Sequence, residues 1–312
     1  MPSPAGSGAV TGQRPASSPA GVAATVTAVC AWGLGNTLIA SIDLPGLAIA
    51  AYRLIMASLL YVPVLHLTGR RLRRDMFTAS WRGGLAYGAD VATFFVAIHL
   101  TSVANATTIN ALQPLVIMGF AAATFGERVR VRQLGAARAA LVGVALVAFG
   151  ASDGSGSLDG DLVAGVALFL WAWYFVASKR AREQLDTLEY MTTMLLVATV
   201  VVTPVALLAG DLGNPVDDLG DGRWWWILGV VALPGSGHFL INWAHAHTRL
   251  VTTSLITLAM PVISAASAAV FLDQRVSGVQ VLGMAVVLAA LAVVILGETT
   301  AIAGAPPRKD DG

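Results

Sequence analysis

Cysteine is almost missing from this chain: the single Cys30 lies in an apolar run, so neither an intrachain disulfide nor a cysteine metal cluster can form. Charge is scarce as well. Asp, Glu, Lys and Arg supply 12% of the residues, about half of the roughly 25% carried by soluble domains. The formal charge of +1 is spread over short loops rather than gathered in a patch, which gives no footing for nucleic acid. No GxxxxGK[ST] phosphate loop and no HExxH run occurs, so ATP-driven transport is not encoded in this chain and no metalloprotease site is expected. The reading is not an enzyme, with no cofactor and no metal. Strand-type alternation is absent too, which excludes a β-barrel.

What remains is apolar. Hydrophobic residues make up 56% of the 312, and the mean hydropathy is +0.73. A bilayer core about 30 Å thick takes about 20 apolar residues per helical span, and runs of that length recur along the chain. The sequence predicts an all-α integral membrane protein with ten spans: 22–42, 46–67, 82–102, 104–125 and 134–150, then 162–178, 190–209, 224–244, 251–272 and 281–296. Residues 1–20, rich in Pro, Ala, Ser and Gly, are expected to be a disordered tail. Residues 298–312 form a second tail.

The stretch QPLVIMGFAAATFGERV, Gln113 to Val129, occurs again as MPVISAASAAVFLDQRV, Met260 to Val276. Register holds without a gap, Pro114 falling on Pro261, Glu127 on Gln274, Gln133 on Gln280 and Gly150 on Gly297. The chain is therefore an internal duplication, with one five-span repeat in 21–150 and another in 161–297. Five is an odd number, so the second repeat enters the membrane from the opposite side. Inverted repeats of this kind characterise secondary transporters, whose site lies at the repeat interface near the midplane.

Lys and Arg set the orientation, because short loops rich in them stay in the cytoplasm. Arg70, Arg71, Arg73, Arg74 and Arg82 lie between spans 2 and 3, Arg128, Arg130, Arg132 and Arg138 between spans 4 and 5, and Lys179, Arg180 and Arg182 between spans 6 and 7. The alternate loops hold Asp43, Asp153, Asp159, Asp161, Asp211, Asp217, Asp218 and Asp221. Both termini are then cytoplasmic, in a plasma or inner membrane. Reporter tags at Ser155 and Asn214 are expected outside, and one at Met76 inside.

The chain resembles the EamA-type branch of the drug/metabolite transporter superfamily. The carriers are AWGLGN with Trp32 and Gly33, LAIAAYRLIMAS with Arg53, TSVANATTINALQPL leading to GERV, FLWAWYFVASKR, and INWAHAHTRLVTTSLITLAMPV. The resemblance implies ten helices in two repeats and transport of small metabolites, amino acids or drug-like compounds, without fixing substrate or direction. One departure is Gln274, where the family usually has Glu after span 9.

An ionisable side chain near the midplane is costly and so a functional candidate. Asp90 is central in span 3, and the offset places its counterpart at Gly237, beside His238 in span 8. Two readings stand: a carboxylate and an imidazole that share protons across one cavity, or two polar links between helices. Arg53 either snorkels outward or faces that cavity. On span 8, His238, Asn242 and His245 share a stripe; Trp32 and Asn36 share one on span 1, and Trp171, Tyr174 and Ser178 one on span 6. Asn110 and Gln113 from the span 4 motif complete the substrate-binding or coupling candidates. Pro114 and Pro261 each remove a helix hydrogen bond at matched places and are candidate gating bends. His66, His99 and His247 sit near span ends, and Trp224, Trp225 and Trp226 read as an aromatic belt.

The expected function is a secondary transporter for a small amphipathic solute, an exporter driven by protons or by exchange, working as a monomer or homodimer with the lipid bilayer around it. A uniporter or channel is the alternative, and an intramembrane enzyme acting on lipid, with Asp90 and His238 as acid and base, is a further one.

Overall fold

The structure, a computed structural model, describes residues 17–101, 103–151 and 157–303, and among these every regular element is helical. The first half contains α1 (Pro19–Ala40), α2 (Gly46–Leu67), α3 (Arg74–Leu100), α4 (Val103–Asn110), α5 (Gln113–Phe125) and α6 (Val131–Ala151). The second contains α7 (Leu158–Ala181), α8 (Thr187–Leu208), the short α9 (Pro215–Asp218), α10 (Arg223–His245), α11 (Leu250–Ile256), α12 (Met260–Phe271) and α13 (Gly278–Ala303). Among the described residues ten stretches are long and apolar enough to cross a membrane, span 4 joining α4 to α5 and span 9 joining α11 to α12. The residues expected in the N-terminal tail lie almost wholly outside the described residues, as does Ser155.

Helix starts follow local hydrogen bonding. The Ser18 and Ser157 hydroxyls accept from the Gly21 and Gly160 amides at 3.0 and 3.1 Å, and Asp186 with Glu189 closes a capping box at the head of α8. Two ends depart from the expectation. α3 begins at Arg74, eight residues before the expected Arg82, because two polar turns project beyond the apolar run and hydropathy does not register them. Met76, expected in an inside loop, is fully buried in those turns. α13 runs on to Ala303, into residues expected to be tail.

Packing repeats between the halves. α1 lies along α10 and α3 along α7, which pairs spans 1 with 8 and 3 with 6; α2 pairs with α8, and α6 with α13. Each of these pairs maps onto itself or onto another when the halves are exchanged, as inverted five-span repeats require. α6 and α13 cross closely at Gly143 and Gly283, where a Cβ on Gly283 would stand 2.5 Å from the Gly143 carbonyl oxygen. The outer faces stay apolar: Phe149, Phe169, Val200, Leu208 and Leu288 are exposed, as a hydrocarbon surround demands. Trp224, Trp225 and Trp226 are exposed at the start of α10, the first two stacked at 4.0 Å.

Spans 4 and 9 are broken at equivalent places. Span 9 passes through a 3-10 turn at Thr257–Ala259, and the sequence offset carries that turn onto residues 110–112, where α4 ends and α5 begins. Pro114 and Pro261 follow as the second residues of α5 and α12, positions where a missing amide proton costs nothing.

Candidate functional site

The middle of the bundle is an aromatic cluster built around His238 of α10. Trp32 of α1 stands 4.9 Å from it between ring centroids, Tyr87 of α3 4.8 Å, and Trp171 of α7 6.2 Å. Trp32 and Trp171 meet edge to face at 5.5 Å, and Trp171 meets Tyr174 at 5.4 Å. Both repeats contribute, through spans 1 and 3 on one side and 6 and 8 on the other. Such edge-on geometry matches the negative ring face of one residue with the positive edge of the next.

A line of hydrogen bonds threads the cluster. Arg53 Nη2 donates to the Tyr87 hydroxyl at 2.9 Å, and that hydroxyl lies 3.1 Å from His238 Nε2. Since Tyr87 accepts from the guanidinium, its own proton is free for the imidazole. On the other ring nitrogen, Nδ1, the Tyr174 hydroxyl follows at 3.4 Å, a long contact. Asn242 donates to Tyr174 at 2.7 Å and to the His238 carbonyl at 2.7 Å. Ser178 donates to Asn242 and lies 2.9 Å from His245 Nδ1. Arg53 thus faces inward, the second of its two expected orientations.

Asp90 stands one helical turn beyond Tyr87 on the same face of α3 and is 6% exposed. The Arg53 charge acts on it, yet among the described residues no hydrogen bond or ion pair within 4 Å reaches its carboxylate. Its counterpart in the other repeat has no side chain for a physical reason: a Cβ on Gly237 would lie 2.8 Å from Trp32 Cδ1 and Nε1, so the indole occupies that space. The Trp32 and Trp171 indole N–H groups are buried without an acceptor. Two donors left unspent in a buried cluster are an exception to the usual pairing of buried polar groups.

Arg53, Tyr87 and His238, with Tyr61, Met191 and Leu195, line a crevice of about 30 Å³. That is roughly one water molecule's share of liquid volume, so a solute can enter only if the helices part.

The other candidates sit elsewhere. Asn36 is exposed and donates to the Ser264 hydroxyl of α12 at 3.0 Å. Asn110 and Gln113 bond to one another at 2.9 Å across the break in span 4. His66, His99 and His247 each lie within 3.2 Å of a nearby backbone carbonyl.

Sequence reasoning missed Tyr87, although its place one turn from Asp90 is a signal. It also missed a second polar centre, near the ends of spans 4, 6 and 9. Glu127 accepts from Lys179 Nζ at 2.8 Å and from the Leu250 and Val251 amides at 2.9 and 3.0 Å. Lys179, counted with the loop residues, is buried within α7 and also donates to the Thr248 carbonyl at 3.0 Å. Beside it Gln133 donates to Glu298 at 3.0 Å, with Arg249 at 3.7 Å from the same carboxylate oxygen. At the matching place in the other repeat Gln274 is exposed, and no side-chain hydrogen bond reaches it among the described residues.

Comparison with known proteins agrees with this architecture. A solved structure described only as "Crystal structure of protein" superposes with a TM-score of 0.74 at 20% identity, covering 90% of this chain and 98% of that one. At that identity the likeness concerns the fold. No curated protein sequence matches the chain. The model of the EamA-like transporter family matches residues 19–149 and again 158–296. Two matches, one per repeat, cover most of the sequence, and the chain belongs to the EamA-like transporter family.

Proposed function

We propose that this membrane protein is a secondary transporter that moves a small amphipathic solute by alternating access, with Asp90 as the group whose protonation drives the cycle. The observation that carries this reading is Asp90 itself. It is the only acidic residue far from a helix end among the described residues, it is buried, and it has no partner within 4 Å. A carboxylate left unpaired at that depth invites either a proton or a cationic partner that arrives during the cycle.

The aromatic cluster gives the solute its chemistry. Trp32, Trp171, Tyr174 and Tyr87 offer apolar faces, while the two unspent indole N–H groups offer donors. A solute with an apolar body and a carbonyl or carboxylate acceptor satisfies both. Arg53, Tyr87 and His238 then form the polar wall, and Asn242 orients Tyr174.

The two broken spans support the alternation. In this structure Glu127 holds the end of α5, the start of α11 and Lys179 of α7 together, while among the described residues no side-chain hydrogen bond reaches its counterpart Gln274. We take the Glu127 side as the closed one, and its release, with closure of the opposite side, as the second half of the cycle. Taking the basic loops as cytoplasmic, we assign the Glu127 side to the cytoplasm and propose export through the plasma or inner membrane in exchange for protons.

The test has two stages. Metabolites inside and outside cells with and without the gene identify the solute, and purified protein in liposomes then measures its flux under an imposed pH gradient. Accumulation of unmodified solute that depends on the gradient supports the proposal. Flux indifferent to the gradient indicates a uniporter, and chemical conversion without flux an enzyme.

A further inference from the structure

Away from the central cluster, α3 and α7 enclose a groove of about 300 Å³ where the two helices cross near the basic loops. Its polar lining is Arg82, Arg180, Thr78 and Gln184, and its apolar lining includes Trp173 and Val176.

Both arginines are exposed, and neither forms an ion pair or side-chain hydrogen bond with another described residue. Arg71 and Arg74 are exposed and unpaired in the same way among the described residues, but they lie outside the groove, and three other cations at this end are paired. Arg70 pairs with Asp186, Arg73 with Asp75 and Glu189, and Lys179 with Glu127. The contrast is sharpest between neighbours in sequence: Lys179 turns inward to a buried carboxylate, whereas Arg180 turns outward into the groove.

The depth of the pair is set by the chain. Between Gly83 and Leu100 the only Asp, Glu, Lys or Arg in α3 is Asp90, and α7 carries none between Leu162 and Ser178. Arg82 therefore ends the uncharged face of α3 on one side of the groove, and Arg180 ends that of α7 on the other. Two cations sit where hydrocarbon gives way to headgroups. Trp173 is partly exposed in the groove, and Arg82 also lies 5.4 Å from the ring of Trp81, an exposed indole at the same level.

We propose that this groove binds the phosphate headgroup of an anionic phospholipid, with Arg82 and Arg180 on the phosphate and an acyl chain along Trp173, Val176 and Ala177. Arginine suits the task because its planar fork meets two phosphate oxygens at once. Gln184 stands beside the arginines as a further hydrogen-bond donor, and the Thr78 hydroxyl, which donates to the Asp75 carbonyl at 2.9 Å, adds a polar wall. Because α3 and α7 belong to different repeats, a lipid seated between them bridges the two halves of the bundle, and its occupancy would bias how easily they part.

The experiment compares the intact chain with the Arg82→Gln/Arg180→Gln double variant, and with Arg71→Gln/Arg74→Gln, which removes two exposed cations at the same end but outside the groove. Each purified protein is incubated with phosphatidylglycerol or phosphatidylcholine in detergent, and retained lipid is measured by native mass spectrometry; a second arm adds inorganic phosphate as competitor. The proposal expects phosphatidylglycerol to be retained over phosphatidylcholine by the parent and by Arg71→Gln/Arg74→Gln. In the groove variant it expects retention to fall roughly thirtyfold, the loss of two surface arginines. Equal loss in both double variants would overturn it, because net charge alone would then explain binding. Displacement by millimolar phosphate would also overturn it, in favour of a free anion site. Since both groove residues are exposed, unchanged thermal unfolding of the groove variant shows that altered folding is not the cause.

Discussion

Lys179 of span 6 and Glu127 at the end of span 4 form an ion pair of 2.8 Å in which each side chain is only 8% exposed. The pair is not isolated, since Glu127 also receives the first two amides of α11. One carboxylate thereby joins spans 4, 6 and 9. Breaking a buried pair by removing one partner costs about 3–5 kcal/mol, because the other charge is left without compensation. Glu127→Gln leaves a buried ammonium with neutral acceptors alone, the amide oxygen and the Thr248 carbonyl, and turns an NH2 toward a backbone amide, whereas Lys179→Met leaves a carboxylate that still has two backbone donors. Thermal unfolding in detergent is therefore expected to rank the parent above Lys179→Met and Lys179→Met above Glu127→Gln. Gln274→Glu, at the exposed counterpart, should leave the midpoint unchanged.

Tyr87 links Arg53 to His238, and removal of its hydroxyl breaks both contacts without changing the ring. Tyr87→Phe should weaken apparent substrate affinity about fivefold to thirtyfold, the worth of one to two buried hydrogen bonds. Folded yield should hold, because the ring keeps its tilted contact with Tyr174 and its edge contact with His238. Concentration-dependent uptake in liposomes measures the effect, and an unchanged KM would place the substrate elsewhere.

The crossing of α6 and α13 has no room for a side chain. Gly283→Val must push its methyl groups against the Gly143 carbonyl and Leu146, and is expected to cost about 1–3 kcal/mol or more. Gly119→Val meets open space and serves as the control. If both variants unfold at the same temperature, the two helices do not cross where the structure places them.

Ten spans were legible because each is an apolar run about as long as a bilayer is thick, and the duplication was legible because its register holds from Gln113 to Gly150 and from Met260 to Gly297. The breaks of spans 4 and 9 fall two to four residues before Pro114 and Pro261, which open the helices after the breaks rather than bending a continuous one. Helix ends were less legible: the polar turns of α3 that bury Met76 carry no hydropathy signal. The pairing of Lys179 with Glu127 was invisible for another reason. Each reads as an ordinary span-end charge, and only the packing of α5 against α7 brings them together. Tyr87 was passed over because a tyrosine in an apolar helix looks like filler until the imidazole and guanidinium on other helices are seen to reach it.

The central claim is that Asp90 exchanges a proton during the cycle, and Asp90→Asn tests it most directly, since the amide keeps the size of the side chain and one acceptor but cannot change charge. The measurement is transport by this variant in liposomes, at matched amounts of folded protein, with and without an imposed pH gradient. The account predicts that solute still exchanges across the membrane at equilibrium while accumulation against a gradient is lost. Gradient-driven accumulation equal to that of the parent would contradict it.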